Sequence, residues 1–349
     1  MTTYPLGLVV GKFAPLHAGH EALVAFAAAR CERLLVLSYT RPGFAGCGAA
    51  ARRAWLAERF PTHDCVVIDD AWLAAACAAR GLPPQRLPRD DTDDATQQRF
   101  LAWLLDEVLQ RRPDAMFASE PYLEPCAQVL SERFGQPVAA VGFDRQRRAV
   151  PVSGTRLRAD PDGWRQWLAP SVQASLVQRV CLLGGESSGK TSLAAALAKA
   201  YGDPWVPEYG RELWALRQGR LDEADLLLIA REQQAREERA LSSARRRLFC
   251  DTSALTTLCY SLEMFGRTAP ELQARAERRY DLVVLCEPDF AFVQDGTRRD
   301  AAFRARQHAW TLEALQQRGW PFIRAAGPLE ERLRSVAPHL PEGLSSEPD

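Results

Sequence analysis

The stretch GGESSGKT, residues 184–191, has the residue types and spacing of a phosphate-binding turn. It satisfies the pattern G-x-x-x-x-G-K-[ST] between an apolar run and a helical pattern, as that motif requires. Glycines let backbone N–H groups surround phosphate oxygens, and the following helix start adds partial positive charge. We predict that this turn binds ATP, with Lys190 at the β- and γ-phosphates and Thr191 as a ligand of Mg²⁺. The predicted nucleotide-binding residues are Gly184, Gly185, Glu186, Ser187, Ser188, Gly189, Lys190 and Thr191.

Three charged residues further along the chain could complete a site for phosphoryl transfer. Asp251 ends the strand-like run RRLFCD, where a carboxylate can hold Mg²⁺, although a solvated turn residue is the alternative. Glu208 could accept the proton of an attacking hydroxyl, or it could pair with Arg211. Arg298 lies in FVQDGTRRD, residues 292–300, whose composition suits either a lid over phosphate or an ordinary exposed turn. We predict catalytic roles for these three residues and for Lys190.

A second glycine-bearing turn lies near the beginning of the chain. The stretch GKFAPLHAGH, residues 11–20, places Lys12, His17 and His20 between an apolar run and a helical pattern. Two imidazoles and an ammonium near a helix start can stabilise negative charge on a phosphate undergoing displacement. A zinc site would lack a third ligand at a familiar spacing, and two ordinary surface histidines are the structural alternative. We predict catalytic roles for Lys12, His17 and His20, and nucleotide binding by Gly11, Phe13 and Gly19.

A hydroxyl-rich segment supplies a possible partner for the first turn. VPVSGTRLR, residues 150–158, contains Ser153, Thr155 and Arg158. Hydroxyls and backbone amides at a helix start, together with a guanidinium, can form a second phosphate-binding site. This pattern is weak alone and becomes informative beside H-x-G-H. We predict that Ser153 and Thr155 bind nucleotide and that Arg158 is catalytic.

Lysine is scarce in this chain, which contains three Lys against 41 Arg. Two of the three, Lys12 and Lys190, lie in the two glycine-bearing turns. An ammonium is a compact point charge, whereas a guanidinium is a wide planar fork. We infer that both turns need a compact charge close to phosphate, the alternative being chance retention.

Strand-like and helix-like stretches alternate along the chain, which predicts parallel sheets covered on both faces. Apolar runs such as 6–11 precede helical patterns such as 20–31 and 97–112, and the alternation restarts at 179–185. The predicted fold is α/β with two doubly wound parallel-sheet domains. The expected boundaries are 1–170 for the first domain, 171–339 for the second and 340–349 for a flexible tail.

Bulk composition excludes several classes of protein. The net charge is zero, so no global electrostatic attraction to nucleic acid or to an anionic membrane is expected. The nine cysteines form no C-x-x-C pair and lie mostly in apolar stretches, as reduced core cysteines do. No signal peptide and no span of about 20 apolar residues is found. We expect a cytoplasmic protein without nucleic-acid partners or membrane insertion, and a homo-oligomer is left open.

The two motif sets together resemble known enzyme families. GKFAPLHAGH with VSGTRLR resembles the nucleotidylyltransferase superfamily, whose members transfer AMP from ATP to a phosphate and release pyrophosphate. Followed by LLGGESSGKTSLAAALA, PEYGRELW, LFCDTSALTT and YDLVVLCEPDFAFVQDGTR, it is similar to the NadR family over nearly the whole chain. The resemblance implies a Rossmann-like nicotinamide-mononucleotide adenylyltransferase domain and a P-loop ribosylnicotinamide kinase domain. Its implied partners are ATP, Mg²⁺, nicotinamide riboside and nicotinamide mononucleotide.

The sequence departs from the family pattern in two places. Some members begin with a helix-turn-helix repressor domain, whereas this chain starts at the catalytic strand, so a DNA-binding role is not expected. The family tends to carry a tryptophan before the helix at 97–112, but here no aromatic occurs between residue 89 and Phe100. Acceptor specificity of the first domain is therefore open. The acidic run Asp90, Asp91, Asp93 and Asp94 is interpreted as a solvated loop, or alternatively as a contact to a cationic pyridinium.

Two other functions compete with this interpretation. One is a nucleotide-sensing regulatory protein, which would bind ATP without turnover. The other retains the same chemistry but acts on a different nucleoside and its monophosphate. The complete set of charged residues in both turns favours an enzyme, because sensing does not require stabilisation of a leaving group.

Overall fold

The apolar runs identified in the sequence form the strands of two parallel sheets. The structure is a computed structural model, and it describes residues 3–39, 44, 46–89, 91–160, 163, 165–296 and 298–340. The chain divides into two compact units, with the division between Leu176 and Val177. Asp90, Thr297 and residues 341–349 of the expected tail lie outside the described residues.

The first unit contains a five-stranded parallel sheet with the strand order β3-β2-β1-β4-β5. Its strands are β1 Tyr4–Val10, β2 Cys31–Ser38, β3 Asp64–Val67, β4 Ala115–Ala118 and β5 Ala139–Gly142. Its α-helices are α1 Ala18–Ala28, α2 Ala49–Arg59, α3 Asp70–Ala79, α4 Asp94–Trp103, α5 Leu123–Phe134, α6 Gly154–Ala159 and α7 Pro170–Ser175. A π-helical segment, Leu104–Leu109, continues α4, and a 3₁₀ turn spans Arg165–Trp167.

The second unit contains another five-stranded parallel sheet, in the order β10-β9-β6-β8-β7. Its strands are β6 Gln178–Leu183, β7 Trp205–Val206, β8 Arg247–Asp251, β9 Leu282–Cys286 and β10 Ile323–Ala325. Its α-helices are α8 Lys190–Tyr201, α9 Tyr209–Leu216, α10 Glu223–Ala240, α11 Ala254–Phe265, α12 Pro270–Ala276, α13 Ala301–Gln317 and α14 Leu329–Val336. A 3₁₀ turn, Ala337–His339, follows α14.

Both central strands are buried on two faces, because successive side chains of a strand point to opposite sides. In β1, Leu8 packs into one hydrophobic cluster and Val9 into the other. In β6, Leu182 and Leu183 divide in the same way between two clusters. Each sheet is therefore covered on both faces, and the predicted α/β fold with two doubly wound parallel sheets is confirmed.

The helix expected over 97–112 differs from the sequence pattern at both of its ends. The helix expected over 97–112 begins at Asp94, because the side chain of Asp93 caps it by accepting from Thr96 N at 2.9 Å. It changes to π-helical geometry after Trp103.

The described part of the acidic run has ordinary structural contacts. Asp93 is the N-cap and Asp94 the first residue of α4, while Asp91 pairs with Arg89 at 3.3 Å on the surface. Phe100 packs against aromatic neighbours, with ring centroids 5.5 Å from those of both Tyr39 and Trp103.

In the described chain, no helix combines the length and the apolar character needed to cross a membrane.

Candidate active sites

A cavity of about 420 Å³ lies at the carboxyl ends of β1 and β4 in the first unit. Ligands of doubly wound sheets bind at this edge, where the strand order reverses. All nine residues predicted from the two N-terminal motifs line this cavity, although the motifs are far apart in sequence. They are Gly11, Lys12, Phe13, His17, Gly19, His20, Ser153, Thr155 and Arg158.

The two histidines are held by hydrogen bonds at the start of α1. His17 is the N-cap, and its Nδ1 accepts from the backbone N of Gly19 at 3.1 Å. Nδ1 of His20 accepts from the backbone N of His17 at 3.4 Å, and the two rings stack with centroids 3.7 Å apart. Because each neutral ring uses Nδ1 as an acceptor, its proton belongs on Nε2. Each histidine therefore carries an Nε2–H donor.

Both imidazoles stay neutral at physiological pH. Burial, followed by the charges of Arg147 and Arg158, lowers the pKa of His17 to about 3. Burial and the adjacent His17 lower the pKa of His20 well below its usual value, with smaller contributions from the same two arginines. The histidines thus supply hydrogen bonds, while Lys12 and the arginines supply positive charge to the cavity.

Two glycines leave little space where the first turn approaches aromatic rings. A Cβ atom on Gly19 would lie 3.0 Å from the ring of His17, and one on Gly11 would lie 3.0 Å from the ring of Phe13. Phe13 is fully buried, with a backbone φ of 46°, and its ring meets that of His20 edge-on at 4.8 Å. Phe13 therefore packs against His20, and its position in the motif did not specify this packing role.

The second motif forms α6, with Ser153 at its start and Arg158 in its last turn. Arg158 Nη1 donates to the carbonyl oxygen of Ala14 at 2.8 Å, and Nη2 donates to Oγ1 of Thr155 at 3.3 Å. Ser153 is the N-cap of the helix, and its Oγ accepts from Arg156 N at 3.3 Å. The guanidinium therefore connects the two motifs across the cavity.

Arg147 also lines this cavity, although the sequence interpretation did not include it. Its Nη2 donates to Oε1 of Glu120 at 2.7 Å, and its Nη1 donates to the carbonyl oxygen of Val152 at 2.7 Å. The residue precedes the 150–158 motif, but nothing in its local sequence distinguishes it from the other arginines.

In the second unit, the GGESSGKT turn connects β6 to α8. Gly184 and Gly189 adopt backbone φ angles of 137° and 80°, which favour glycine. A Cβ atom on Gly184 would lie 2.6 Å from the carbonyl oxygen of Cys286, and one on Gly185 would lie 2.5 Å from that of Arg304. Lys190 Nζ donates to the carbonyl oxygens of Gly184 and Gly185 at 3.1 and 2.8 Å, so its ammonium lies within the turn.

Thr191 and Asp251 meet at the carboxyl edge of the second sheet. Thr191 Oγ1 donates to Oδ2 of Asp251 at 2.6 Å, and Oδ1 of Asp251 is buried without a hydrogen-bond partner among the described residues. Burial, followed by the charge of Glu208, raises the pKa of Asp251 to about 6. These oxygens suit Mg²⁺, which prefers oxygen ligands and is bound through one or two carboxylates together with substrate phosphates. The described residues contain no set of three or more His, Cys, Asp or Glu that would hold a metal ion unaided.

Beside Lys190 lies a second cavity, of about 320 Å³. It is lined by three predicted catalytic residues, Lys190, Glu208 and Arg298, and by the aromatic side chains of Trp214 and Tyr260. Glu208 makes the ion pair that the sequence offered as one alternative, because its Oε2 accepts from Arg211 Nε at 3.0 Å, and its side chain also lines the cavity.

Alternating charges extend from Glu208 to Arg298 across this cavity. Arg211 Nη1 lies 3.4 Å from Oδ2 of Asp295, and the same carboxylate oxygen lies 3.1 Å from Nη2 of Arg298. Asp295 and Arg298 belong to the arginine segment, which we define as residues 292–296 and 298–300. The ion pair with Asp295 holds the guanidinium of Arg298, which lines the cavity beside Lys190.

Arg332 shapes the phosphate turn and was not predicted. It is 2% exposed, and its Nη1 donates to the carbonyl oxygen of Ser188 at 2.8 Å. It also donates to the carbonyl oxygens of Gly327 and Glu287, at 2.7 and 2.8 Å, and pairs with Asp289. The side chain thus joins three loops at this edge of the sheet.

The fold and these motifs define a two-domain α/β protein whose second unit has a P-loop fold. Residues 179–332 match the family model described as an AAA domain. The Trifunctional NAD biosynthesis/regulator protein NadR of Escherichia coli (strain K12) is 28% identical over 337 residues, covering 91% of this chain and 78% of that protein. The chain is a relative of the NadR proteins, as its motifs predict.

Two solved structures share the fold over nearly the whole chain. The crystal structure of NadR protein in complex with NAD and AMP-PNP has a TM-score of 0.58 at 18% identity, covering 97% of this chain and 95% of that chain. The crystal structure of NadR protein in complex with NR has a TM-score of 0.59 at 20% identity and covers 97% of each chain. The same two-unit architecture is therefore present in solved NadR structures.

Proposed function

We propose that this chain is an enzyme of NAD biosynthesis that catalyses two successive transfers at phosphorus. The proposal rests on two separate sets of residues suited to bind phosphate, one in each unit. Lys12 with His17 and His20 forms the first, and the GGESSGKT turn around Lys190 forms the second. We assign adenylyl transfer to the N-terminal domain and nucleoside phosphorylation to the C-terminal domain.

The C-terminal domain would phosphorylate nicotinamide riboside. Glu208 accepts the proton of the 5′-hydroxyl, whose oxygen attacks the γ-phosphorus of ATP, and the products are nicotinamide mononucleotide and ADP. Lys190 and Arg298 stabilise the charge on the transferring group. Mg²⁺, held by Thr191 and Asp251, would neutralise charge on the β- and γ-phosphates when bound. Trp214 and Tyr260 offer apolar walls for the nucleoside in the adjoining cavity.

The N-terminal domain would join nicotinamide mononucleotide to AMP. A phosphate oxygen of the mononucleotide attacks the α-phosphorus of a second ATP, which forms NAD and releases pyrophosphate. The Nε2–H groups of His17 and His20 donate to phosphate oxygens, while Lys12 and Arg158 contribute positive charge. Such in-line reactions depend on positioning and electrostatic stabilisation, so no covalent enzyme intermediate is needed.

The relatives support this assignment. The Escherichia coli relative is a NAD biosynthesis and regulator protein by name, and the NadR structures contain NAD with AMP-PNP or NR. The neutral state of both histidines also favours a hydrogen-bonding role, because an unprotonated imidazole retains its Nε2–H donor without adding charge.

The decisive experiment is incubation of the purified protein with Mg·ATP and nicotinamide riboside, followed by identification of products by mass spectrometry. Formation of NAD would support both reactions. Accumulation of nicotinamide mononucleotide without NAD would support the kinase reaction only. It would indicate that the N-terminal domain uses a different acceptor. ATP binding without any product would contradict the proposal and favour a nucleotide sensor.

A further inference from the structure

One residue of the phosphate turn carries a negative charge where an anionic triphosphate would bind. Glu186 lies within the GGESSGKT turn and is 7% exposed. Like charges that are close together and partly removed from water repel one another. A carboxylate at this position therefore requires an explanation, which its contacts provide.

Both carboxylate oxygens of Glu186 accept hydrogen bonds from other elements of the second unit. Oε1 accepts from Tyr260 Oη at 2.7 Å, and Oε2 accepts from the backbone N of Arg299 at 2.8 Å. The backbone N of Glu186 donates to Oε1 of Gln307 at 2.7 Å. Glu186 is thus attached to helices α11 and α13 and to the arginine segment.

The next residue of the turn makes a second attachment to the arginine segment. Ser187 Oγ accepts from the backbone N of Val293 at 3.1 Å. Within the segment, Gln294 Nε2 donates to the carbonyl oxygens of Arg298 and Arg299 at 2.9 and 3.1 Å. The phosphate turn therefore holds the arginine segment near both of its ends.

We propose that Glu186 is a positioning residue, whose carboxylate fixes the arginine segment so that Arg298 stays aligned with Lys190. The inference rests on the function proposed above. Arg299, the residue tied to Glu186, directly follows Arg298, whose guanidinium lines the cavity beside Lys190. A displacement of about 1 Å at a catalytic group can cost 100-fold in rate, so a fixed backbone has a direct kinetic consequence.

The partners of Glu186 predict which substitution preserves the attachment. Burial raises the pKa of Tyr260 well above its usual value, so its hydroxyl remains a donor. Both donors, this hydroxyl and a backbone N–H, are neutral. In Glu186→Gln the amide oxygen can accept from Arg299, and the amide N–H can donate to the tyrosine oxygen. Glu186→Ala removes both bonds.

Hydrogen–deuterium exchange on the full chain tests the attachment without reference to activity. We expect Glu186→Ala to accelerate exchange in peptides containing Val293 and Arg299, and Glu186→Gln to remain close to the wild type. Glu271→Gln is the matched control, because Glu271 also accepts from two partners, Arg231 and Arg275, but does so on the surface. Unchanged exchange at Arg299 in Glu186→Ala would overturn the inference, whatever the activity.

A double-mutant cycle tests whether Glu186 acts through Arg298. We expect Glu186→Ala to lower kcat for phosphoryl transfer by up to about 100-fold with little change in the KM for ATP. Since both substitutions would remove the same stabilisation, the double variant with Arg298→Ala should be no slower than Arg298→Ala alone. Additive losses would overturn the positioning role, and recovery of kcat in Glu186→Gln would support it.

The exchange experiment and the double-mutant cycle are the two arms of the test, and together they distinguish a failure of this inference from a failure of the proposed function. If the wild type does not phosphorylate nicotinamide riboside, the proposed acceptor is wrong, while the exchange experiment still decides whether the attachment exists. If Glu186→Ala does not fold, Tyr260→Phe replaces it in both arms. That variant removes one of the two donors, so it should give an intermediate increase in exchange and an intermediate loss of kcat. No effect in either arm would overturn the inference.

Discussion

Thr191 Oγ1 lies 2.6 Å from Oδ2 of Asp251, although 60 residues separate them in the chain. Parallel pairing of β6 and β8 brings them together, because the register places Leu182 beside Asp251 and α8 begins shortly after β6. Asp251 is buried and Thr191 is partly buried at the edge where the phosphate turn lies. Under the proposed function, these two oxygens would be ligands of Mg²⁺ bound together with ATP.

Replacing the carboxylate of this pair should selectively impair phosphoryl transfer. We expect Asp251→Asn to lower kcat for phosphorylation by about 10²–10³, comparable to removing one electrostatic stabiliser of a transition state. Rates at increasing Mg²⁺ concentration measure the effect. Adenylyl transfer from ATP to nicotinamide mononucleotide should persist in the same preparation. An unchanged phosphorylation rate would exclude Asp251 as a metal ligand.

The two proposed sites should be separable by single substitutions. His20→Ala removes an Nε2–H donor from the first cavity and should lower adenylyl transfer by about 10²–10³ while sparing phosphorylation. Lys190→Ala should have the opposite effect. Each half-reaction is measured by product mass with its own acceptor. If either substitution abolished both activities in a folded protein, the assignment of one reaction to each unit would be untenable.

The histidines of the first cavity should resist protonation. The pKa of His17 is lowered to about 3 and that of His20 well below 6.5, so both rings should remain neutral between pH 5 and 8. NMR of ¹⁵N-histidine-labelled protein can follow both rings, since the chain has five histidines. His17→Asn and His20→Asn identify the two signals, and free histidine in the sample provides the reference. A midpoint near 6.5 for either ring would contradict the burial argument.

The stability of the second unit should depend on pH because the unit contains a buried carboxylate. Glu237 is fully buried and accepts from Tyr280 Oη at 3.1 Å, and burial raises its pKa from 4.5 to about 7, although Arg278 opposes the shift. Because the folded pKa is the higher one, this contribution to stability is complete below pH 4.5 and is lost as the pH rises through 7. At about 1.4 kcal/mol per pH unit, the interval corresponds to about 3 kcal/mol.

Glu237→Gln tests this linkage, because the amide does not ionise. From pH 5 to 8, the stability of the variant relative to the wild type should rise by up to about 3 kcal/mol. Denaturant-dependent hydrogen exchange of strand β6 measures the unfolding free energy of the second unit alone. Glu238→Gln is the neighbouring control, since that carboxylate is exposed and pairs with Arg278 at the surface. A relative stability that does not change with pH would contradict the assignment.

Motif spacing was sufficient to predict most of the candidate sites, because phosphate-binding turns depend on local backbone geometry. The GGESSGKT turn is contiguous, and two of its three glycines, Gly184 and Gly189, adopt positive φ angles. For the first cavity, alternation of strands and helices predicted a parallel sheet, and strand ends of such a sheet share one edge. Lys12 and Arg158 could therefore be assigned to one site in spite of their separation in sequence.

Residues whose roles come from distant packing could not be predicted. Arg147 and Arg332 are two of 41 arginines, and only the folded chain shows that one lines the first cavity while the other holds the carbonyl oxygen of Ser188. The contacts of Glu186 were equally inaccessible, since its partners Tyr260 and Arg299 lie 74 and 113 residues away. Periodicity likewise gave no signal for the π-helical geometry after Trp103.

The hydrogen bond from Arg332 to Ser188 spans 144 residues of chain. During synthesis the GGESSGKT turn leaves the ribosome long before the side chain that braces it. A nascent or truncated chain that ends ahead of α14 would contain every signature residue of the nucleotide site, yet it would lack the brace. The ability to bind a triphosphate should therefore arise late in translation, when helix α14 packs against the rest of the second unit.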